Sequence, residues 1–571
     1  MCRHNEFVNL EEGTGVVSRQ SRFRTSTPLI TACHRATSTS RQADLPGTFR
    51  NCSAAPHENP YSLAVSILNV AGSALRSPAH ARERVRRFLG PLGLGLMVLG
   101  LAILAACMAA GRSRFVPFWG GDGPFLGWNA GLSSTTVSTA VRISALCAGL
   151  GTALTLVALR SNWTGVAPRQ LLLGGVVASI AMVFLPPAGS IDILNYAVYG
   201  RISDLGLDPY SMTPQRLHDA GDPVGLLRPS SWADQPTVYG PVATVEQALA
   251  AWLGGASMGW IIFWLKAFNA TVFIVTGLLL DRLAGPDPAA RIRAAILWTA
   301  NPLMLFWMVG SGHADTLASV LLIGAGCVLW HETRRPTPVL WFGAVAGLMA
   351  AGAVLVKVTF ALPVLGLALA CLRRPRTLAA GAATTLLTVV ITYAAVGRSA
   401  LTSLTNRMSH DGDLFLPVPS ALVARPMLYT AAMGAATLGA AALIWRALPP
   451  PRPAATLDLR PAVACGIAAV ILSPVQYPWY CAAFFPVLAL LGATYVDEAL
   501  AIRSALLSCI MLPGIGTSAA QFESARVAAP LCTAVVMLAT VVQLVRTKPR
   551  PHSRIRPGGS PEATRSSESR S

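Results

Sequence analysis

The sequence predicts an all-α, polytopic integral membrane protein with about 14 transmembrane helices, and three observations predict it. Of 571 residues, 53% are hydrophobic and only 12% are charged, and mean hydropathy is +0.52. Soluble domains carry roughly twice that charge fraction, about 25%. Apolar runs recur from Phe88 to Val545, near the ~20 residues that a spanning helix needs. The period-2 alternation of a membrane barrel is missing, and helices then remain the way to satisfy a backbone in lipid.

The charge is distributed accordingly. Residues 1–87 carry 12 Arg and 6 acidic groups, and residues 546–571 carry 7 basic and 2 acidic groups. The first 80 residues are rich in Ser, Thr and Arg without periodicity, the composition of disorder. The expected organisation is a disordered basic cytoplasmic extension over 1–87, a multi-span domain over 88–546 and a disordered basic cytoplasmic tail over 547–571. No signal peptide is expected, because the first long apolar stretch begins near residue 88. The net charge of +19 reads as orientation charge in short loops. A nucleic-acid binder would gather it on one face with interleaved aromatics. Eight of the 11 Cys lie in apolar runs and none forms C-x-x-C, so they read as small packing residues.

Taken in order, spans are expected near 88–111, 138–160, 170–187, 258–280, 292–309, 313–331, 338–356, 358–372, 377–396, 426–446, 461–476, 480–496, 503–519 and 527–546. "RERVRR" precedes the first, which places the N-terminus inside. The Arg-bearing connections after spans two, four and six then fall on the same side. The stretch 242–255, "VATVEQALAAWLGG", is short and holds Glu246. It reads as an amphipathic helix at the outer surface. In this count both termini are cytoplasmic. Five polar segments poor in basic clusters emerge together outside: 188–257, 310–315, the turn at Lys357, 397–425 and 473–480. That pattern predicts one outward-facing site.

The chemistry-bearing residues lie in those segments. In "GSIDILNYAVYGRISDLGLDPY" (189–210), a helix from Asp192 would put Asp192, Asn195, Tyr196 and Tyr199 on one face. A carboxylate at the bilayer edge, partly desolvated, is a stronger base than one in water. Equally, Asp192 reads as an interfacial cap and the tyrosines as an aromatic belt. "TVYGPV" presents Tyr239 in a tight turn, and "GSGHAD" puts His313 and Asp315 in a short turn between spans. Lys357 stands at a break between two apolar runs, and Lys266 lies inside one. A lysine facing a cavity suits a phosphate, whereas one near a span end can snorkel. "SPVQYPWY" offers Trp479 and Tyr480. "SHDGDLF" places Asp411 and Asp413 at D-x-D spacing, a weak match to a divalent-metal pair that reads equally as a turn. No P-loop and no H-E-x-x-H occur, which argues against a fused ATPase or a zincin protease.

The order of these features resembles the GT-C glycosyltransferase superfamily: Asp192 at the outer end of an early span with Y-x-x-x-G-R after it, then "GLDPY", "VYGP", "NPL…GSGHAD", a lysine after an apolar span, and "SPVQYPWY". Within it, the chain is similar to the actinobacterial polyprenol-phosphate-mannose-dependent α-1,6-mannosyltransferases of lipomannan assembly, over roughly 88–545. The resemblance implies a polyprenyl-phosphate-sugar donor, a glycolipid or oligomannoside acceptor, and membrane lipid as the surrounding partner, without nucleic acid. It implies an inverting transfer with Asp192 as base; no cofactor and no metal are expected. Lys357, Lys266 and Arg201 would face the donor phosphate. Asn195, Tyr196, Tyr199, Tyr239, His313, Asp315, Trp479 and Tyr480 would line the sugar and acceptor clefts. Two alternatives stay open: a transferase of arabinosyl or glucosyl groups, and a transporter or flippase of lipid-linked sugars.

Overall fold

The computed structural model describes residues 79–335, 339–408, 426–450, 457–473, 475–512 and 519–547. Most of the two expected terminal extensions and the Asp411/Asp413 pair lie outside these residues. Among the described residues there are helices and connections but no strand. The helices of ten residues or more begin with α1 (Ala79–Ala109), α2 (Ser134–Arg160), α3 (Pro168–Val183) and α4 (Asp192–Asp204). Next come α5 (Pro241–Gly254), α6 (Met258–Leu283), α7 (Pro288–Leu297) and α8 (Asp315–Thr333). They continue with α9 (Leu340–Val356), α10 (Ala361–Ala370), α11 (Pro375–Val396) and α12 (Arg398–Met408). The last are α13 (Pro426–Ala447), α14 (Arg460–Ile471), α15 (Tyr495–Met511) and α16 (Ala519–Thr547).

The helix starts follow local chemistry. Ser133 and Ser257 accept from the backbone N–H groups of Thr136 and Trp260 at the heads of α2 and α6. Asp287 caps α7 in front of Pro288, a residue suited to the first helical position. Asn301 does the same in front of Pro302, accepting from Leu303 and Met304.

The described residues contain seven helices long and apolar enough to cross a membrane, or eight if α7 and the bent segment Pro302–Gly310 form one span. This is a multi-pass helical membrane protein, but the expected count of about 14 spans is not reproduced. The reason lies in the breaks. α3 has 16 residues and α9 has 17, so they extend about 24–26 Å at 1.5 Å per residue, short of a core of about 30 Å. The expected span 480–496 is fragmented at Pro478 and Pro486 into a 3₁₀ turn (Pro478–Ala483), one short helix (Phe485–Leu488) and the capping box that opens α15. α5 occupies the place expected for the amphipathic helix and has two unlike faces. Its buried face carries Thr244 and Gln247 with alanines, while Val245, Leu249 and Trp252 are exposed. A greasy exposed face suits contact with lipid.

Small residues and buried ion pairs hold the bundle. α1 and α2 touch backbone to backbone: a Cβ on Gly151 would lie 2.5 Å from the Gly93 carbonyl oxygen. Ser144 of α2 donates to the Gly100 carbonyl at 2.6 Å, the small-residue packing of membrane helices. Arg293 of α7 binds Asp497 of α15 at 2.8 Å and donates to the Leu488 and Leu491 carbonyls at 2.8 and 2.9 Å. Both side chains are buried. Arg293→Met strands a buried carboxylate, so it should lower stability by about 3–5 kcal/mol, read as a fall in the thermal midpoint of the purified protein. A midpoint equal to wild type would mean that the pair contributes nothing.

Candidate active site

The approach to Asp192 is pinned on two sides. Ser311 donates to the Ala188 carbonyl at 2.6 Å, and the Gly189 N–H donates to Phe115. These bonds fix the segment that turns into α4, so Asp192 starts the helix beside the turn carrying His313. Five stretches of chain then meet. Tyr196, one turn along α4, lies 2.8 Å from the Tyr239 hydroxyl and 3.3 Å from His313 Nδ1. His313 Nδ1 is 3.9 Å from Asp192 Oδ2. Lys357 grips both carboxylate oxygens of Asp315 at 3.0 and 2.9 Å. Its Nζ stands 4.2 Å from the Tyr480 ring centre and 6.0 Å from that of Tyr239. Trp479 stacks with His313 at 3.9 Å and with Tyr477 at 4.4 Å.

Gly240 explains the "VYGP" motif. Its N–H donates to the Val356 carbonyl at 3.1 Å, and a Cβ there would lie 2.0 Å from the Leu355 carbonyl oxygen. Only glycine lets the Tyr239 turn lie on the end of α9, beside Lys357. Lys357 itself ends α9 with extended backbone (φ −156°, ψ 124°), which swings its side chain out of the helix stack toward Asp315.

The electrostatics sort the groups. Burial first, and the Asp192 carboxylate as a further cause, hold the phenols of Tyr196 and Tyr239 well above their ordinary value near 10. Both therefore act as neutral hydrogen-bonding groups. His313 is held well below its ordinary value near 6.5 by burial and then by Lys357, so its imidazole is neutral at neutral pH. Its buried Nε2 has no partner. An orphaned acceptor costs less than an orphaned N–H, which assigns the proton to Nδ1, facing Tyr196 and Asp192. A folded-state value below the unfolded one means that acid protonates the unfolded chain preferentially. The stabilisation is complete above about 6.5 and declines as pH falls through and below that value. The thermal midpoint of wild type should drop on acidification more steeply than that of His313→Gln; parallel curves would contradict this.

Not every nominated residue joins the cluster. Arg201 is engaged with Asp204 at 2.9 Å and Asp222 at 3.0 Å, nine residues or about 13 Å along α4 from Asp192. Those carboxylates, rather than a donor phosphate, take up its charge. Lys266 is fully buried and donates to the Leu185 carbonyl, with its Nζ 5.5 Å from the Phe125 ring centre. It braces the backbone that leads to Asp192 and stands apart from the Lys357–Asp315 pair. Tyr199 donates to the Gln235 carbonyl at 2.9 Å, and Asn195 is buried with its Oδ1 unpartnered. Trp479 is only 2% exposed, so it forms a wall behind His313 and not an open stacking platform. The atoms left accessible belong to Asp192 (18% of its side chain), Lys357 (13%), Tyr239 and Tyr480. Two cavities, of about 300 Å³ beside Arg112 and Asn129 and about 240 Å³ between α1 and α3, lie away from this cluster.

Sequence reasoning passed over Trp307, whose ring lies 6.0 Å from His313 and 5.4 Å from Trp479, and Arg503 of α15. Arg503 had a visible signal, a charge in an apolar run. Placing it at the start of a span hid that signal, because α15 in fact begins at Tyr495.

A helical membrane scaffold that gathers a carboxylate, a neutral imidazole and an ion-paired lysine beside aromatic rings has the equipment of a group-transfer enzyme. Comparison with known proteins adds a likeness: residues 89–371 match the family described as Alpha-(1->6)-mannopyranosyltransferase, N-terminal domain. The chain is 26% identical over 304 residues to Alpha-(1->6)-mannopyranosyltransferase B of Corynebacterium glutamicum, covering 50% of each. It is 28% identical over 174 residues to an Alpha-(1->6)-mannopyranosyltransferase of Mycobacterium tuberculosis, covering 28% of each. The matched region thus spans about half or less of these curated relatives. Looser overlaps occur with two solved structures. The crystal structure of ArnT from Cupriavidus metallidurans bound to undecaprenyl phosphate is 15% identical, with a TM-score of 0.31 over 62% of this chain and 76% of that one. The apo oligosaccharyltransferase of Archaeoglobus fulgidus is 14% identical, with a TM-score of 0.33 over 66% of this chain and 56% of that one.

Proposed function

We propose that the protein transfers a mannosyl group from a polyprenyl-phosphate-linked donor to a mannan- or lipomannan-type acceptor on the outer face of the membrane. The transfer inverts the donor anomer and forms an α-1,6 linkage. Mannosyl transfer follows the names of its relatives. The observation that carries the reading is the convergence of Asp192, Tyr196, Tyr239, His313, Asp315, Lys357, Trp479 and Tyr480 from five stretches of chain.

The roles follow from their chemistry. Asp192 takes the proton of the acceptor 6-hydroxyl as its oxygen forms a bond to the anomeric carbon. The bond from that carbon to the phosphate oxygen breaks, and the polyprenyl phosphate departs without needing a general acid. Lys357, already aimed by Asp315, stabilises the charge developing on that phosphate. Tyr239 and Tyr480 offer the sugar a ring face and a hydroxyl at the accessible rim. A flippase would set polar groups along a path through the bilayer, whereas these groups are gathered in one place. The side of the membrane rests on the distribution of basic loops.

Vesicles of defined orientation test the reading. Right-side-out vesicles should extend an impermeant oligomannoside without permeabilisation, using polyprenyl-phosphate mannose in preference to the arabinosyl or glucosyl donor. Extension only after permeabilisation would overturn the outer-face assignment, and preference for another sugar would overturn the donor.

A further inference from the structure

Arg503 lies in α15 and is 1% exposed. Its Nη2 donates to Gln476 Oε1 at 3.1 Å and its Nη1 contacts Cys481 Sγ at 3.6 Å, while Nε has no partner. Among the described residues no carboxylate pairs with it. A guanidinium buried against two neutral groups is expensive in a membrane protein and is ordinarily tied to a function. Its two contacts bracket Trp479, one on each side in sequence.

The surroundings give this bracket a purpose. Residues 476–481 form an extended stretch and a 3₁₀ turn without the regular bonding of an α-helix. Gln476 is held from its other end, donating to the Ile471 carbonyl. Five residues beyond Arg503, Ser508 accepts from the Trp307 indole N–H at 2.9 Å. Trp307 and Trp479 are the two indoles packed against His313. One helix therefore fixes both rings of the wall on which the imidazole rests.

We infer that Arg503 is a positioning residue that clamps the 476–481 segment from α15 and so holds the aromatic wall behind His313 and the Lys357–Tyr480 contact in register for sugar binding. The catalytic consequence rests on the transferase reading above; the clamp itself does not. The guanidinium fork is the feature required, since a lysine ammonium cannot reach both partners in one plane.

The test uses the full-length protein in proteoliposomes with two readouts. The first is alkylation of Cys481 by a membrane-permeant maleimide, quantified by mass spectrometry, with Cys107, buried in α1, as the reference. In Arg503→Met, Cys481 labelling should rise by roughly tenfold while Cys107 stays protected, and Arg503→Lys should not restore protection. The second is steady-state transfer from polyprenyl-phosphate mannose: KM for the oligomannoside should rise by roughly tenfold with kcat changed far less, the signature of lost binding rather than lost chemistry. If Arg503→Met does not fold, Gln476→Leu removes one arm of the clamp and should give the same pattern at smaller amplitude. Unchanged Cys481 labelling together with unchanged KM, or an equal rise at Cys107, would overturn the inference. If wild type transfers no mannose, the transferase reading fails and the labelling pattern alone decides the clamp.

Discussion

Asp192→Asn is expected to lower kcat for mannosyl transfer by about a thousandfold, within the range that a positioned general base contributes, while KM for donor and acceptor moves little. The amide matches the carboxylate in shape but cannot accept a proton at neutral pH. Because His313 is neutral, no buried charge loses a partner, so the variant should fold as wild type does. Initial rates in proteoliposomes, beside a thermal midpoint for each protein, check both halves. A rate within a few fold of wild type would remove Asp192 from the chemistry and shift attention to the His313–Tyr196–Tyr239 chain.

Lys357→Met is the second large effect. It removes the cation beside Tyr239 and Tyr480 and leaves Asp315, which is 1% exposed, as an unpaired buried carboxylate. The expected outcome is a loss of about 100-fold or more in kcat/KM, the scale of one missing group that stabilises developing charge, together with about 3–5 kcal/mol of stability. The double variant Lys357→Met/Asp315→Asn separates these contributions. It should recover much of the thermal midpoint and none of the transfer. Recovery of transfer along with stability would show that the lysine is structural.

The residues show why part of this was legible in the sequence. Hydropathy exposed the helical membrane class because backbone groups in lipid leave few options. A helix from Asp192 was visible as a pattern of period, and it occurs, with Asp192 as its first residue and not its cap. The span count was not legible. Hydropathy measures greasiness and not continuity, so the 3₁₀ turn at Pro478–Ala483 and the short helix around Pro486 break up one apolar run, and α9 and α10, on either side of Lys357, are each too short to cross. Partner choice among charged groups was hidden for a related reason. Arg201 looks the same in sequence whether it meets a phosphate or Asp204 and Asp222, and only the fold brings Asp222 within 3.0 Å. Trp479 was legible as an aromatic near the site, but its burial in a stack with His313 depends on residues 166 positions apart.

In the proposed reaction this chain moves mannose from a polyprenyl phosphate through Asp192. Its most direct test is a defined reaction containing only the purified protein in lipid, radiolabelled polyprenyl-phosphate mannose and a short α-mannoside. The expected result is a labelled product one mannose longer, whose label an α-1,6-specific mannosidase releases, and no such product with Asp192→Asn. A folded wild-type protein that yields no labelled product, or an Asp192→Asn protein that yields as much as wild type, would contradict it.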